Sequence, residues 1–454
     1  MYYRAQMSPP ADDPRPYTVY RSGDAPEAPG TPGSAGAPPS PPRRRSGSRR
    51  RRGGRLLLAL LLVVIVVAVA AGVATATGWG PFSAEEPAAT PVGEATSSES
   101  GAAPSPDPAA AAAGSPSASP TPSPRPTETA PPAVHVTGGG DVIGGFGVSS
   151  VVASMGSGLF KSVAPFFEKS DFGFVNLESP LTNGGDPQGW KDVVIKGNPA
   201  LAPAMAKSGI NVVTMANNHA GDMGDSGLLD SIRYCKRSHI AVVGAGKNLA
   251  TAMAGVVLTS EDGVKVAFLG FTDVLPAGYP ATASSPGTAP GRADIGAVKR
   301  VIRAAHKKAD YVVVGWHWNF EYKRAPTWLE LSEGKAAIDA GADLVIAHHP
   351  HLLDGVQAYH GGLIAYSLGN LVFSGFSGET AETVLVRAKL SPEGVDAQLI
   401  PVVGGGSGIP YLAKGSNAQR ILGRVKSFSA ALDTHVKIVA GRGYVHVKRK
   451  SRGD

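Results

Sequence analysis

From residue 134 onward, short apolar runs alternate with amphipathic stretches. Many of the apolar runs carry Val and Ile at consecutive positions, which is typical of strands buried on both faces. Helical periodicity lies between several of them, so the pattern predicts an α/β fold with helices outside the sheet. The expected strands are residues 134–137, 172–176, 211–215, 240–243, 264–271, 311–316, 343–347 and 363–366. The expected helices are residues 199–208, 225–237, 294–308 and 326–340, and residues 384–402 are expected to form an antiparallel pair of strands.

A different pattern occupies residues 56–77, which are almost entirely apolar and carry no charge. About 20 apolar residues cross the hydrocarbon core of a bilayer, so this segment is predicted to be a transmembrane helix. Arginines precede it, and positive side chains favour the cytoplasmic side. We therefore expect a single-pass protein of the cell membrane, with a cytoplasmic N-terminus and an extracytoplasmic C-terminal domain. A cleaved signal peptide ending near Ala74-Thr75-Ala76 is the alternative, and it also implies export.

Composition divides the rest of the chain. Residues 1–55 hold 11 arginines against four acids and are expected to form a disordered, basic cytoplasmic tail. Residues 78–132 are rich in Pro, Ala, Ser and Thr, which predicts a disordered linker. Residues 133–454 then form one large folded domain.

The basic tail accounts for the net charge of +7, because residues 56–454 carry 32 basic and 32 acidic side chains. The folded part has no basic excess, so no nucleic acid is expected among its partners. Cys235 is the only cysteine, which excludes an intrachain disulfide.

Potential metal ligands follow one predicted strand after another. In open α/β sheets, binding sites form at the carboxyl ends of the strands. The side chains at these positions carry oxygen or nitrogen donors, and they are Asp141, Glu178, Asn218, His317, His349 and His351. Such a mixed set suits Mn, Fe or Zn rather than Ca, so we expect a site for a divalent metal ion.

Several of these residues also have an ordinary structural explanation. Asp141 lies in the glycine-rich segment GGGDVIGG, where a turn with a capping Asp is common. Glu178 could form a salt bridge, and a single buried histidine such as His317 is more often a core residue than a ligand. His349 and His351 would point to one side of an extended backbone, although a pH-sensitive loop is the alternative. The joint occurrence at strand ends favours metal.

The segment ANNHAGDMGDSGLLDSI, residues 216–232, places further polar side chains between a strand and a helix. Asn218 offers a carbonyl oxygen and His219 a ring nitrogen, while Asp222 or Asp225 could orient the imidazole. A helix-capping role explains Asp225 but not the adjacent Asn and His.

Residues 134–404 contain, in order, the motifs GDVIGG, NLESPLT, IKGNP, ANNHAGDMGDSGL, HWNFEY, HHPHLLDGVQAY and YSLGNLVF. With these motifs the region resembles the CapA family of poly-γ-glutamate capsule proteins, which is related to the calcineurin-like metallophosphoesterases. The resemblance implies a four-layer α/β/β/α sandwich with metals at one edge of the sheets. It also implies that Asp141 and Glu178 bridge two metal ions and that His351 binds the second ion. The other ligands of the first ion would be Asn218, His317 and His349.

The resemblance further implies a catalytic pair, in which His219 protonates the leaving oxygen and Asp222 steadies it. The implied function is biosynthesis or export of a capsule or cell-surface polymer by a metal-dependent hydrolase or transferase. Its target would be a phosphate ester or a γ-glutamyl amide. The expected partners are an anionic polymer, the membrane and membrane synthetase components. The alternative is a non-catalytic subunit that binds the polymer in an export or synthesis complex.

Three positions depart from the family pattern. Ile143 stands where metallophosphoesterases carry the His of Asp-x-His, so the second metal lacks a ligand unless His348 replaces it. Phe146 stands where Arg is expected, and Asn319 stands where Gly is expected. Whether the domain is an enzyme, and whether it binds one metal or two, is therefore left open by the sequence.

Overall fold

The computed structural model describes residues 132–449, where the predicted apolar runs form strands. In chain order the strands are β1 (Val134–Val142), β2 (Phe172–Leu177), β3 (Val212–Thr214), β4 (Ala241–Val243), β5 (Ala245–Gly246), β6 (Val256–Thr259), β7 (Lys265–Thr272), β8 (Gly287–Thr288), β9 (Tyr311–His317), β10 (Leu344–His348), β11 (Val356–Tyr359), β12 (Gly362–Ala365), β13 (Asn370–Val372), β14 (Glu382–Ser391), β15 (Gly394–Val403), β16 (Tyr411–Leu412), β17 (Lys437–Val439) and β18 (Arg442–Lys448). The helices are α1 (Phe146–Met155), α2 (Ala164–Phe167), α3 (Leu201–Ala206), α4 (Gly224–Arg237), α5 (Leu249–Met253), α6 (Ile295–His306), α7 (Trp328–Asp339) and α8 (Gly415–Ala430).

Two sheets carry most of the strands. The larger has the order β17-β18-β15-β14-β1-β2-β3-β4, with β13 beside β1 and β16 beside β15. Its β1 to β4 half is parallel, and its β14, β15, β17 and β18 half is antiparallel. The smaller sheet has the order β11-β12-β10-β9-β7-β6, with a parallel centre and an antiparallel strand at each edge.

The apolar side chains form three clusters that explain how the elements stack. One cluster joins both sheets, because alternate residues of β1, β14, β9 and β10 point into the space between them. A second joins the other face of the larger sheet to α1 through α4, and a third joins the smaller sheet to α5, α6 and α7. The two sheets therefore pack face to face, and helices lie against the outer face of each.

The prediction of a mixed α/β fold is confirmed. The predicted antiparallel pair is β14 and β15. The elements that were not predicted include α8, although Ile421, Leu422 and Val425 form its buried stripe. They also include β13 and β16, which are too short for a periodic pattern to show.

The predicted tail, the predicted membrane helix at residues 56–77 and the linker up to residue 131 lie outside the described residues. Within residues 132–449, no helix is both long enough and apolar enough to cross a bilayer.

Candidate metal centre

The six predicted ligands lie together where strands of both sheets end. Register places Asp141 of β1 opposite Asn176 of β2, and His317 of β9 opposite His348 of β10. Glu178 directly follows β2. The two sheets contact each other here, since His317 Nε2 lies 3.4 Å from Glu178 Oε1 and His348 Nδ1 lies 3.1 Å from Asp141 Oδ1. All six predicted ligands are at most 4% exposed.

Ligand atoms of these residues fall into two overlapping groups with Glu178 in common. Glu178, His317 and His349 form one group, in which the donor atoms lie within 4.8 Å of one another. Asp141, Glu178 and His351 form the other. Ligands that share one ion at bond lengths near 2.1 Å lie roughly 3 to 3.5 Å apart, and the 3.4 Å between Glu178 and His317 fits that spacing.

Asn218 lies beside the first group. Its Oδ1 is 2.8 Å from His317 Nε2, close enough for both atoms to bind one ion. Glu321, which was not among the predicted ligands, forms a third group with His349 and His351. The described residues therefore provide donor atoms for one cation site around Glu178. They also provide donor atoms for a second cation site beside it.

Several buried polar atoms of the centre lack hydrogen-bond partners. Among the described residues, neither oxygen of Glu178 accepts a hydrogen bond, and Asp141 Oδ2 and His349 Nδ1 also have no partner. An unsatisfied buried carboxylate is costly, whereas coordination of a cation satisfies it. These side chains therefore fit a divalent metal ion better than they fit one another.

The protonation properties of the carboxylates support the same conclusion. Burial raises the pKa of Glu178 well above its usual range, and the charge of Asp141 adds to the effect. Burial also disfavours the charged form of Asp141, but His348 and His351 outweigh it and hold the pKa of Asp141 well below its usual range. The two carboxylates are therefore driven in opposite directions, as expected of two buried like charges that share one site.

The histidines divide in the same way. Burial lowers the pKa of His349 to about 4 and that of His317 well below its usual range. Burial acts in the same direction on His351, but the charge of Glu178 and contacts with Asp141 raise the pKa of His351 to about 10. His317 and His349 are therefore neutral imidazoles at neutral pH, which is the form that binds a metal.

The two histidines of AHHPH reach the centre by a bent backbone. An extended segment was expected, but His349 has φ 97° and His351 has φ 55°, both in the left-handed region. Strain of this kind in residues other than glycine is concentrated at functional sites. The expectation of an extended backbone is therefore wrong, because β10 ends at His348 and the chain turns through Pro350.

His348 does not pack away from the centre. It is fully buried on the face of β10 that looks toward the other sheet, and its ring lies 6.4 Å from that of Phe174. His348 Nδ1 approaches Asp141 Oδ1, but not in hydrogen-bond geometry. Ile143 is also buried, in the apolar cluster under the helices. Ile143 therefore packs in the apolar core and supplies no metal ligand at that position. His348 lies close to Asp141 but belongs to none of the ligand groups.

The predicted catalytic pair lies in a closed hydrogen-bond network. His219 Nδ1 is 2.6 Å from Asp222 Oδ2, and Lys191 Nζ donates to Asp222 Oδ1 at 2.5 Å. Tyr279 donates to the same oxygen at 2.7 Å, and the backbone N–H of Ile195 donates to Asp222 Oδ2 at 2.7 Å. Burial lowers the pKa of His219 although Asp222 opposes it. Asp222 therefore fixes the orientation of His219 and leaves Nε2 as the atom that can exchange a proton.

Four residues of the centre were not predicted as site residues. Asn176 donates to Asp141 Oδ1 at 2.9 Å, and Asn370 Oδ1 lies 2.9 Å from His351 Nδ1. Both lie inside motifs that carry the family resemblance, NLESPLT and YSLGNLVF, so the strand-end rule could have found them. Glu321 follows His317 in HWNFEY, but Lys191 comes from a loop whose sequence shows no pattern.

Comparison with known proteins identifies the family of this chain. The family described as bacterial capsule synthesis protein PGA_cap matches residues 135–375, more than half of the chain. The PGA biosynthesis protein CapA of Bacillus subtilis (strain 168) is 35% identical over 257 residues, which are 56% of this chain and 67% of that protein. The capsule biosynthesis protein CapA of Bacillus anthracis is 34% identical over 282 residues, with 59% and 68% covered.

A more distant relative is a probable polyglutamine synthesis accessory protein of Mycobacterium tuberculosis (strain CDC 1551 / Oshkosh). It is 28% identical over 213 residues, which are 45% of this chain and 56% of that protein. The resemblance inferred from the motifs is confirmed by the family match and the two CapA relatives. The chain belongs to the CapA family of bacterial capsule synthesis proteins.

Proposed function

We propose that this chain is a membrane-anchored, extracytoplasmic protein of capsule or cell-surface polymer biosynthesis or export, with a metal-dependent hydrolase or transferase centre. The observation that carries the proposal is the buried carboxylate of Glu178, which belongs to two ligand groups while neither oxygen accepts a hydrogen bond from the described residues. The layered arrangement of two sheets and outer helices is the one expected of a metallophosphoesterase-like sandwich.

The residues divide the work of such a centre between them. Glu178, His317 and His349, with Asn218 beside them, would hold one ion, and Asp141, Glu178 and His351 would hold a second. A bound Mn, Fe or Zn ion would supply Lewis acidity toward a phosphoryl or carbonyl oxygen.

The chain itself would supply proton transfer and exclusion of water. His219, fixed through Nδ1 by Asp222, would deliver the Nε2 proton of its imidazolium form to the leaving oxygen, and the charge of Asp222 favours that form against burial. Lys191 connects the proton-transfer pair with the ligand group, because its ammonium donates both to Asp222 and to the backbone carbonyl of Asn218 at 2.7 Å. The ligands are buried beside apolar side chains, and few water molecules can compete with substrate there.

The relatives and the chain's own N-terminal segment support the proposed polymer and partners. Two relatives are named for PGA or capsule biosynthesis, which supports an anionic polymer of the poly-γ-glutamate type as substrate. The apolar segment 56–77 would anchor the domain in the cell membrane beside synthetase components. The reacting bond would be a phosphate ester or a γ-glutamyl amide.

A second function is favoured by one specific observation. Ile143 is packed in an apolar cluster, so the group formed by Asp141, Glu178 and His351 has no fourth protein ligand at that position. A centre that holds only one ion firmly would lack the second ion of a two-metal displacement site, which favours a non-catalytic subunit that binds the polymer during synthesis or export.

Hydrolysis separates the two functions. The full-length chain, purified in detergent, is assayed on a generic phosphodiester and on poly-γ-glutamate, with Mn²⁺ and with chelator. Catalysis predicts Mn²⁺-dependent turnover that His349→Ala and Asp141→Asn reduce by about a thousandfold or more, because ligand loss removes the Lewis acid. His360→Ala, a surface histidine paired with Asp339, is the matched control and retains the activity.

Turnover that is unaffected by chelator and by both ligand variants would contradict the metal-dependent mechanism. Absence of turnover on both substrates, together with bound metal and retained polymer binding, would favour the non-catalytic subunit.

A further inference from the structure

A groove of about 530 Å³ lies on the larger sheet, away from the metal centre. Strand register builds it from two cross-strand rows. The first row runs from His135 through Lys389 and Asp396 to His446. The second runs from Thr137 through Arg387, Gln398 and Tyr444 to Lys437. Strands lie about 4.8 Å apart, so the second row spans roughly 19 Å across five strands.

These side chains all belong to one face of the sheet. The residues that alternate with them, such as Val136, Ala388 and Ala397, fill the apolar cluster between the two sheets. Because side chains of a strand alternate between faces, the two rows point away from that cluster. Lys389, Lys437 and His446 are exposed, so this part of the face is accessible to solvent.

The groove carries more positive than negative charge. Its permanent cations are Arg387, Lys389 and Lys437, and its one lining carboxylate is Asp396. Asp396 is already paired with His446, at 2.5 Å. Among residues 132–449, no carboxylate lies within ion-pair distance of Lys389 or Lys437. The two lysines are therefore available to an external anion.

The cations of the groove also disfavour a further positive charge on His135, which lines the groove. Burial is the largest cause that lowers the pKa of His135, and the charges of Arg387 and Lys389 lower it further. Asp171, whose carboxylate lies 3.9 Å from the His135 ring, opposes the shift but does not reverse it. Arg387 is held in place by hydrogen bonds to the Lys169 carbonyl and to Ser170.

The groove is separate from the metal centre. His135 and Asp141 lie on the same strand six residues apart, which corresponds to about 20 Å. No residue that lines the groove belongs to a ligand group. A long polymer could contact both places at once, whereas a small substrate could not.

We propose that this groove binds a stretch of an extended acidic polymer, a chain of repeated carboxylates such as poly-γ-glutamate, at a distance from the metal centre. Charge complementarity selects an anion, and the open, row-like shape suits an extended chain rather than a compact small molecule. The choice of polymer rests on the proposed function, but binding in the groove requires neither a metal ion nor catalysis.

The test is equilibrium binding of labelled poly-γ-glutamate to the full-length chain in detergent, with chelator present throughout. The groove variant carries Lys389→Glu with Lys437→Glu. The matched control carries Lys307→Glu with Lys308→Glu, the same change of charge on exposed lysines just after α6, in the helical layer of the other sheet. Glu178→Gln removes the central carboxylate of the metal centre. Thermal melting verifies that each variant is folded.

The groove variant is expected to bind at least about tenfold more weakly, because attraction at two positions becomes repulsion, and the control is expected to stay within about twofold. Glu178→Gln is expected to bind like the wild type. Free glutamate at an equal carboxylate concentration is not expected to compete, since it cannot span the rows. Retention of this binding pattern alongside a failed hydrolysis assay would separate the groove from the proposed catalytic function.

Three results would overturn the proposal. The groove variant could bind the polymer as tightly as the wild type. Glu178→Gln alone could abolish binding, which would place the polymer at the metal centre. Vesicles containing phosphatidylglycerol could bind through Lys389 and Lys437 while the polymer does not, which would assign the groove to an anionic membrane surface.

Discussion

Two neighbouring groups of buried polar residues differ in how far the protein satisfies their hydrogen-bonding atoms. In the ligand groups around Glu178, both oxygens of that carboxylate and Asp141 Oδ2 have no hydrogen-bond partner among residues 132–449. Asp222 is just as buried, but it accepts hydrogen bonds from Lys191, Tyr279 and a backbone N–H, and it contacts His219. The described residues satisfy one carboxylate, whereas the proposed function assigns the other to a divalent cation.

The contrast distinguishes ligands from the residues that position them. A buried polar group that the protein fully satisfies contributes to stability and orientation. A buried group that it leaves unsatisfied lowers stability until something binds. Asp222 and Glu178 should therefore respond in opposite ways to substitution and to metal.

The largest effect is expected from Asp222→Asn. This change leaves the ammonium of Lys191, whose side chain is 3% exposed, without its counter-ion. Loss of one partner of a buried pair costs about 3 to 5 kcal/mol in free energy of unfolding, measured by denaturant titration. Bound metal per chain should not change. The double variant with Lys191→Met should recover much of the stability, and failure to recover it would show that the pair is not the source of the loss.

The stability should also depend on pH through Asp222. Burial opposes its charged form, but His219 and Lys191 outweigh burial and hold the pKa of Asp222 below its usual value. The stabilisation is therefore present above the unfolded pKa, about 4, and is lost as pH falls through the folded pKa. Asp222→Asn should remove this acid-side loss from the stability profile.

Metal should stabilise the ligand groups and not the Asp222 network. Addition of Mn²⁺ to the chelator-treated chain, at about 100 times its dissociation constant, should raise the free energy of unfolding by about 2.7 kcal/mol. Glu178→Gln should abolish that response, while Asp222→Asn should keep it. An equal response in both variants would remove the distinction between the two regions.

Asp354 sharpens the comparison because it is an unsatisfied buried carboxylate outside the ligand groups. Its Oδ1 accepts a hydrogen bond from the backbone N–H of Ala325, its Oδ2 has no hydrogen-bond partner within the described part of the chain, and burial raises the pKa of Asp354 to about 7. The folded state thus binds more protons than the unfolded state between about pH 4 and 7, and stability falls as pH rises through that window. Here a proton, rather than a cation, neutralises the charge.

Asp354→Asn should therefore stabilise the protein by about 2 kcal/mol at pH 8 and much less at pH 5, as thermal melts at the two values will show. Asp262→Asn, at an exposed turn, is the control and should change little at either pH. A benefit that is equal at both pH values would indicate that charge is not its cause.

The smallest effect is expected from Tyr279→Phe. The change removes one hydrogen bond to Asp222 and retains the ring, so the free energy of unfolding should fall by about 1 kcal/mol. Metal content should stay constant. A loss as large as that of Asp222→Asn would mean that Tyr279, rather than Lys191, holds the network together.

Much of the fold was predictable because its strands are continuous apolar runs. The segment YVVVGW forms most of β9, and His317 is the last residue of that strand. The rule that sites form at the carboxyl ends of strands predicted that the six ligands would lie close together. Their roles as ligands stay predictions.

Other features could not be predicted from the sequence for physical reasons. Lys191 reaches Asp222 from a loop 31 residues earlier, and only the folded chain shows that contact. The left-handed backbone at His349 and His351 could not be predicted either, because positive φ is uncommon in residues other than glycine and no sequence pattern marks it here. The groove depends on the register of β14, β15 and β18, which pairs Lys389 with Asp396 and Asp396 with His446.

The central claim is that Glu178 binds a divalent metal ion. Elemental analysis of the full-length chain, purified without chelator and compared with Glu178→Gln, tests it most directly. The expected result is about one or two Mn, Fe or Zn ions per wild-type chain and strong depletion in Glu178→Gln, because the shared ligand is lost. Equal metal content in the two proteins, or almost none in the wild type after Mn²⁺ is supplied, would contradict the claim.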